Sequence, residues 1–203
     1  GTTTNSVQGG DSIYIYGAQV EGSNGLGTFD GSYPTSYIKS NSGSPTTRQA
    51  ETCNGAGDAA TFNDSEGVLM LEVSRFDNDV LNTGISINQS GGFTNSVSMR
   101  FRSTENLIWG LIYKDGNLES QMQYTVSNDT EFNKIAISYA VNNFELWVNG
   151  IKVLTDTTGS TPIGLNNLSF NSTSSSEFFY GNTKQLQYYN SALTDSELEK
   201  ISS

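Results

Sequence analysis

Alternating apolar residues between Lys134 and Asp156 indicate three consecutive β-strands. An apolar side chain at every second position is the pattern of a strand with one buried face. The alternating residues are Ile135, Ile137, Tyr139 and Val141, then Phe144, Leu146 and Val148, then Ile151, Val153 and Leu154. Asn142-Asn143 and Asn149-Gly150 separate the strands, and Asn-Gly favours a type I′ turn because both central residues need positive φ. The stretch therefore predicts an antiparallel meander whose apolar face packs against a second sheet.

Similar strands recur about every ten residues, which is the spacing of a β-sandwich. They are predicted at 59–63, 66–76, 80–88, 95–102, 107–113, 117–127, 168–170, 177–180 and 183–189. Only 194–202 predicts a helix, and Thr194 with Glu197 has the spacing of a capping box at its start. We predict an all-β fold, a two-sheet antiparallel β-sandwich of jelly-roll type with one short C-terminal helix.

Two C-terminal stretches resemble a known superfamily. NKIAISYAVNNFELWVNGIKV at 133–153 and KQLQYYNSALTDSELEKI at 184–201 are similar to laminin-G-like modules of the concanavalin-A-like lectin and glucanase superfamily. The resemblance implies a jelly-roll sandwich. It implies a function less directly, because this superfold includes lectins, adhesion modules, hydrolases and lyases.

Three N-terminal stretches resemble a junction in phage tail, fibre and other virion-associated proteins. They are YIYGAQVE at 14–21, PTSYIKS at 34–40 and TTRQAE at 46–51, with Lys39 and Glu51 where the pattern usually has Pro and Asp. In those proteins the junction joins an upstream β-domain to a laminin-G-like module. The resemblance implies a linker with wrapping strands at 1–50, a sandwich domain at 51–203, upstream domains on the same polypeptide, and an extracellular or virion-associated location.

Composition excludes several functions. The formal net charge is -11, with 10 basic and 21 acidic residues, which argues against a nucleic-acid partner because phosphate binding needs clustered Lys and Arg. Histidine is absent and Cys53 is the only cysteine, so the commonest general base is missing and no intrachain disulfide can form. No apolar run approaches the roughly 20 residues that span a bilayer, so membrane insertion is not expected.

Strand phase predicts a polar surface. If Val97, Met99 and Phe101 point into the core, the residues between and after them point outward, and the same argument applies to the strands at 117–127 and 183–189. The residues that strand phase places outward are Arg100, Arg102, Gln121, Gln123, Gln185, Gln187 and Tyr189. Lys184 next to them in the sequence is a further candidate ligand-binding residue. If these strands are neighbours, their amide and guanidinium groups suit saccharide hydroxyls, and the Arg pair suits a carboxylate or sulfate. The alternative is a solvated face that binds nothing.

Aromatic residues add a second candidate feature. Trp147 is out of phase with Phe144, Leu146 and Val148, so we expect it on the surface, where it is available to stack on a sugar ring. Tyr189 is out of phase with Leu186 in the same way. These residues favour a non-catalytic, adhesin-like module that recognises a polysaccharide or a cell-surface glycan.

A polysaccharide lyase is the enzymatic alternative. The order Arg100-Phe101-Arg102, Gln121-Met122-Gln123 and 184–189 resembles jelly-roll alginate-type lyases, with Gln123 where that family uses His. In such a lyase Arg would neutralise a uronate carboxylate, and Tyr189 or Tyr124 would move the proton in the β-elimination. A third hypothesis is a structural virion module that binds nothing.

No cofactor is expected, with a structural calcium ion as the alternative. Laminin-G-like folds often carry such an ion, and Asp77, Asp79 and Asp156 supply oxygen ligands of the type that calcium prefers. The twelve-residue calcium-loop pattern is absent from the sequence.

Overall fold

The structure is a computed structural model, and it describes residues 56–76, 82–104, 106–172 and 177–203. Within these residues the chain forms ten strands and one helix. The strands are β1 (Glu66–Arg75), β2 (Thr83–Gln89), β3 (Gly92–Phe101), β4 (Leu107–Lys114), β5 (Asn117–Thr125), β6 (Asn133–Ala140), β7 (Asn143–Val148), β8 (Ile151–Asp156), β9 (Asn167–Ser169) and β10 (Gly181–Tyr189), and the helix is α1 (Asp195–Ser202).

The strands form two five-stranded sheets. Sheet I has the order β10-β1-β6-β7-β8, and sheet II has the order β5-β4-β3-β2-β9. The strand pairs that build both sheets are antiparallel. The inner faces of the sheets share one hydrophobic core, because each strand contributes an apolar side chain at every second position. This confirms the predicted jelly-roll β-sandwich.

The meander of β6, β7 and β8 forms as its alternation predicts. Ile135, Ile137 and Tyr139 are fully buried, and Asn149 and Gly150 both have positive φ, at 49° and 79°. That backbone is the one that a type I′ hairpin turn requires. Val141 was predicted to belong to the buried set, but it lies in the turn after β6 and is 59% exposed.

A bulge in β5 changes the predicted phase of that strand. The register between β4 and β5 shifts between Ile112 and Tyr113, so that Leu118 pairs with Tyr113 and Ser120 with Ile112. An inserted residue moves the side chains beyond it to the other face of the sheet. Leu118 was predicted to face inward, and it is instead 46% exposed, whereas Met122 is buried as predicted.

Some predicted elements differ from the structure. Residues 59–63 form a turn and not a strand, because the Asp58 carboxylate accepts hydrogen bonds from the backbone N–H groups of Ala60 and Thr61. Residues 177–180 contain only an isolated bridge, between Asn171 and Phe178. The linker and wrapping strands predicted at 1–50 lie outside the described residues, so the domain boundary stays a prediction.

Helix α1 covers part of the outer face of sheet I, the face turned away from sheet II. Its Leu198 and Ile201 pack against an outward-facing cluster that includes Val68 and Met70 of β1. The predicted capping box is confirmed, since the Thr194 backbone N–H donates to Glu197 Oε2 at 2.8 Å. The described chain contains no helix of the length and apolarity that crossing a membrane requires.

Candidate functional site

The candidate site lies on the outer face of sheet II. Met99 and Phe101 of β3 enter the core, so Arg100 between them points to the outer face. Arg100 pairs in register with Trp109 of β4, which pairs with Gln123 of β5. The three side chains therefore form one row across the sheet, and Gln121 lies in the next row, paired with Leu111.

Arg102 and Trp109 form the centre of this surface. The Arg102 guanidinium lies 4.0 Å from the centroid of the Trp109 ring, which is a cation–π contact. Both side chains are part-exposed, and Gln121 and Gln123 beside them are exposed. The indole Nε1 of Trp109 is buried and has no hydrogen-bond partner in the described part of the chain. We call Arg102, Trp109, Gln121 and Gln123 the tryptophan surface.

Arg100 borders the tryptophan surface but is already bound within the protein. Its guanidinium Nη2 lies 2.8 Å from Glu177 Oε2, with side-chain exposures of 10% and 19%, and its Nε donates to Ser172 Oγ at 3.2 Å. Burial lowers the pKa of Arg100, and the charge of Glu177 opposes that shift. The predicted pair of ligand-binding guanidinium groups is therefore corrected: Arg102 is accessible, and Arg100 is 8% exposed.

The predicted Gln185, Gln187, Tyr189 and Lys184 do not join this surface. They belong to β10, which lies at the end of sheet I, whereas β3 and β5 belong to sheet II. Alternation gave the correct phase, since Leu186 packs against the core. Phase does not determine the sheet to which a strand belongs, so the prediction of one shared face was wrong.

The side chains of β10 bind one another and β1. Lys184 Nζ lies 2.6 Å from Glu72 Oε1. The Tyr189 hydroxyl donates to Gln187 Oε1, and Tyr189 also packs against the cluster under α1. The residues of β10 were predicted to bind a ligand together with Arg100 and Arg102. The structure does not place them beside those two residues.

Trp147 is not on the surface. It does face outward from sheet I, as its phase predicted, but α1 covers it and its residue exposure is 5%. Its Nε1 donates to Glu145 Oε2 at 2.9 Å, and Lys152 lies 5.2 Å from its ring. The prediction of a stacking role was wrong because the sequence pattern does not reveal where the terminal helix packs.

The predicted lyase arrangement is not assembled. Tyr189 belongs to sheet I. Tyr124 pairs with Ile108, a core residue, so it lies on the inner side of β5, opposite to Gln121 and Gln123. Neither hydroxyl shares a face with Arg100, so neither of the two predicted tyrosines lies where it could transfer a proton to or from a ligand bound by that residue.

Of the three predicted calcium ligands, the structure describes only Asp156, and the calcium hypothesis stays a prediction. This carboxylate accepts hydrogen bonds from Ser120 Oγ at 2.8 Å and from the Thr158 backbone N–H at 3.1 Å, as expected of a turn residue. Asp77 and Asp79 lie outside the described residues. The described ranges contain no group of three or more acidic, Cys or His side chains that could hold a metal ion.

Sequence reasoning undervalued two residues of this region. Trp109 lies one position after Ile108, a core residue, so strand alternation was available to place it on the outer face. No sequence pattern predicted that Glu177 pairs with Arg100. Glu177 lies outside the strands that form the surface, and only tertiary packing brings it to Arg100.

Comparison with known proteins shows a shared fold. No protein-family model and no curated protein sequence matches the chain significantly. The CBM40 domain of the Ruminococcus gnavus IT-sialidase, bound to α2,3-sialyllactose, is 14% identical with a TM-score of 0.57, over 74% of this chain and 94% of that one. The leech intramolecular trans-sialidase complexed with 2,7-anhydro-Neu5Ac is 15% identical with a TM-score of 0.56, over 74% of this chain and 26% of the enzyme.

A third similar structure is a pentraxin. The heptameric SAP-like pentraxin of Limulus polyphemus is 12% identical with a TM-score of 0.56, over 78% of this chain and 79% of that one. At such identities the similarity concerns the fold, and fold alone does not determine function. The chain therefore shares a jelly-roll β-sandwich with these proteins.

Proposed function

We propose that this chain is a non-catalytic carbohydrate-binding module whose tryptophan surface recognises a polysaccharide or a cell-surface glycan. The observation that carries the proposal is the Arg102–Trp109 pair at 4.0 Å beside the exposed amides of Gln121 and Gln123. We further propose that the module belongs to a larger extracellular or virion-associated protein, as the N-terminal resemblance implies.

The chemistry of the surface fits a sugar. A part-exposed indole ring offers an apolar plane for the C–H face of a pyranose. The two Gln side chains offer both donors and acceptors for ring hydroxyls, and Arg102 offers a fork of donors.

The similar structures support the proposal at the level of ligand class. The R. gnavus domain was determined with α2,3-sialyllactose and with α2,6-sialyllactose. That domain and this chain share their fold over 74% of this chain, so a glycan is the ligand class to test first.

A glycan array with matched variants tests the proposal. The wild-type chain is expected to be retained by a subset of glycans. Trp109→Ala is expected to lower the affinity by about tenfold or more, because a central tryptophan typically contributes most to such a contact. Trp109→Phe keeps an aromatic plane and removes the N–H, so it should bind with intermediate affinity. Gln187→Ala, on sheet I, is the matched control and should bind as the wild type does.

Two results would contradict the proposal. The first is retention of no glycan by the wild-type chain, which would favour the structural module. The second is retention that Trp109→Ala leaves unchanged, which would place the binding surface elsewhere. Thermal unfolding of each variant establishes that a loss of binding reflects the surface and not the fold.

A further inference from the structure

Arg100, next to the tryptophan surface, is already paired with a carboxylate of the protein itself, that of Glu177. Arg100 is in register with Trp109, and its Nη2 lies 2.8 Å from Glu177 Oε2. Glu177 is also held from two other sides. Ser172 Oγ donates to its Oε2 at 2.9 Å, and Asn82 Nδ2 donates to its Oε1 at 3.2 Å.

Ser172, one of the groups that bind Glu177, packs closely on sheet II. Gly84 is the register partner of Arg100 on the other side of β3. A Cβ at Gly84 would lie only 2.5 Å from Ser172 Cβ, so the absence of a side chain at Gly84 lets Ser172 approach the sheet. Ser172 is fully buried. Glu177 is thus held over Arg100 by hydrogen bonds, one of them from Ser172, whose own position is fixed by packing against Gly84.

We propose that Glu177 determines the charge selectivity of the tryptophan surface, in that it neutralises Arg100 and so disfavours an acidic sugar unit at that end of the site. This inference rests on the proposed function. An incoming carboxylate would have to displace Glu177 from Arg100 or lie close to it, and two like charges at that separation repel each other. An uncharged sugar unit neither has to displace Glu177 nor is repelled by its charge.

The same argument assigns a different role to Arg102. In the described part of the chain Arg102 forms no ion pair with an acidic side chain, and it is part-exposed over the Trp109 ring. Its charge therefore remains available to a ligand. The site would hence accept an anionic group near Arg102 and reject one near Arg100.

Removal of the charge of Glu177 tests this inference. Glu177→Gln keeps a side chain of the same size that still accepts the hydrogen bond from Ser172, and it leaves Arg100 without its counter-charge. The probes are 3′-sialyllactose and trigalacturonic acid, each compared with the same oligosaccharide after reduction of its carboxyl groups to hydroxymethyl groups. Titration calorimetry at low and high salt gives the affinity for each acidic oligosaccharide and for its carboxyl-reduced form. The measured quantity is the first affinity divided by the second.

The expected result is an increase in that ratio of about tenfold in Glu177→Gln for at least one probe pair, as removal of a like charge from a site typically gives. The gain should shrink as the salt concentration rises. Glu72→Gln is the matched control: it removes one negative charge from sheet I, next to Lys184, and should leave the ratio unchanged.

The outcomes separate this inference from the proposed function. If the array shows glycan binding through Trp109 but Glu177→Gln keeps both ratios within about twofold of wild type, the role of Glu177 is overturned and the proposed function stands. If Glu72→Gln raises the ratio equally, overall charge explains the effect and the role of Glu177 is again overturned. Absence of all glycan binding overturns both. Glu177→Ala, with thermal unfolding, checks that any change follows from the lost charge.

Discussion

At the scale of single residues, the two tryptophans of the chain differ in whether their indole N–H has an acceptor. A buried donor without an acceptor destabilises a fold by about 1–3 kcal/mol, and Trp109 Nε1 is in that condition within the described chain. Trp147 provides the contrast, because its Nε1 donates to Glu145 Oε2 at 2.9 Å. We propose the first tryptophan as a ligand contact, whereas the second is a buried residue with a satisfied N–H.

Tyr139 gives a residue-level prediction about pH. Its hydroxyl donates to the Asn63 carbonyl at 2.6 Å and lies 2.9 Å from the Tyr188 hydroxyl. Burial, followed by the hydrogen bond with Tyr188, raises the pKa of Tyr139 far above its ordinary value. Because the folded pKa exceeds the unfolded value of about 10, this contribution to stability is fully present below pH 10 and is lost as the pH rises above it.

We therefore expect the free energy of unfolding in urea to fall more steeply between pH 9 and pH 11 in the wild type than in Tyr139→Phe, which has no phenol to ionise. Tyr180→Phe, at a side chain that is 62% exposed, controls for the removal of a hydroxyl. Equal alkaline slopes in the wild type and Tyr139→Phe would contradict the account.

At the scale of elements, alternation predicted the direction of side chains better than it predicted their neighbours. It placed the inward residues of β3 and β6 correctly, and it placed Gln121 and Gln187 on outer faces. It failed at β5, where a bulge moved Leu118 to the outside. A bulge depends on the register with a partner strand, which a single strand's pattern does not contain.

Helix α1 gives a prediction at this scale. Leu198 is 1% exposed and packs in the cluster that contains Trp147. Leu198→Ala should lower the free energy of unfolding by about 2–4 kcal/mol, because it leaves a cavity in packed apolar surroundings. Trp147 fluorescence should shift to longer wavelength as water reaches the ring.

Glu199→Ala is the matched control for α1, since it truncates an exposed side chain of the same helix. It should change the free energy of unfolding by no more than about 0.5 kcal/mol. Loss of stability in Glu199→Ala equal to that in Leu198→Ala would contradict this account, because Ala favours a helix at either position and only Leu198 buries its side chain against sheet I.

At the scale of the whole molecule, the assignment of strands to sheets determines where a ligand can bind. The sequence supported one polar surface built from Arg100, Gln121 and Gln185, but the last strand returns to sheet I and separates Gln185 from the other two. Sheet order follows from long-range packing of the chain, so local patterns did not reveal it. The fold class was predictable, and so were three of the four residues of the tryptophan surface, all except Trp109.

Chemical-shift mapping with a bound glycan tests the central claim most directly. We expect the largest amide and side-chain shifts at Gln121 and Gln123 and at the indole N–H of Trp109, whose resonance should move as a sugar ring packs against the exposed part of the indole. Residues of β10 in sheet I should not shift. Shifts centred on Gln185 and Gln187, with the Trp109 indole resonance unmoved, would contradict the claim that the outer face of sheet II is the carbohydrate-binding surface.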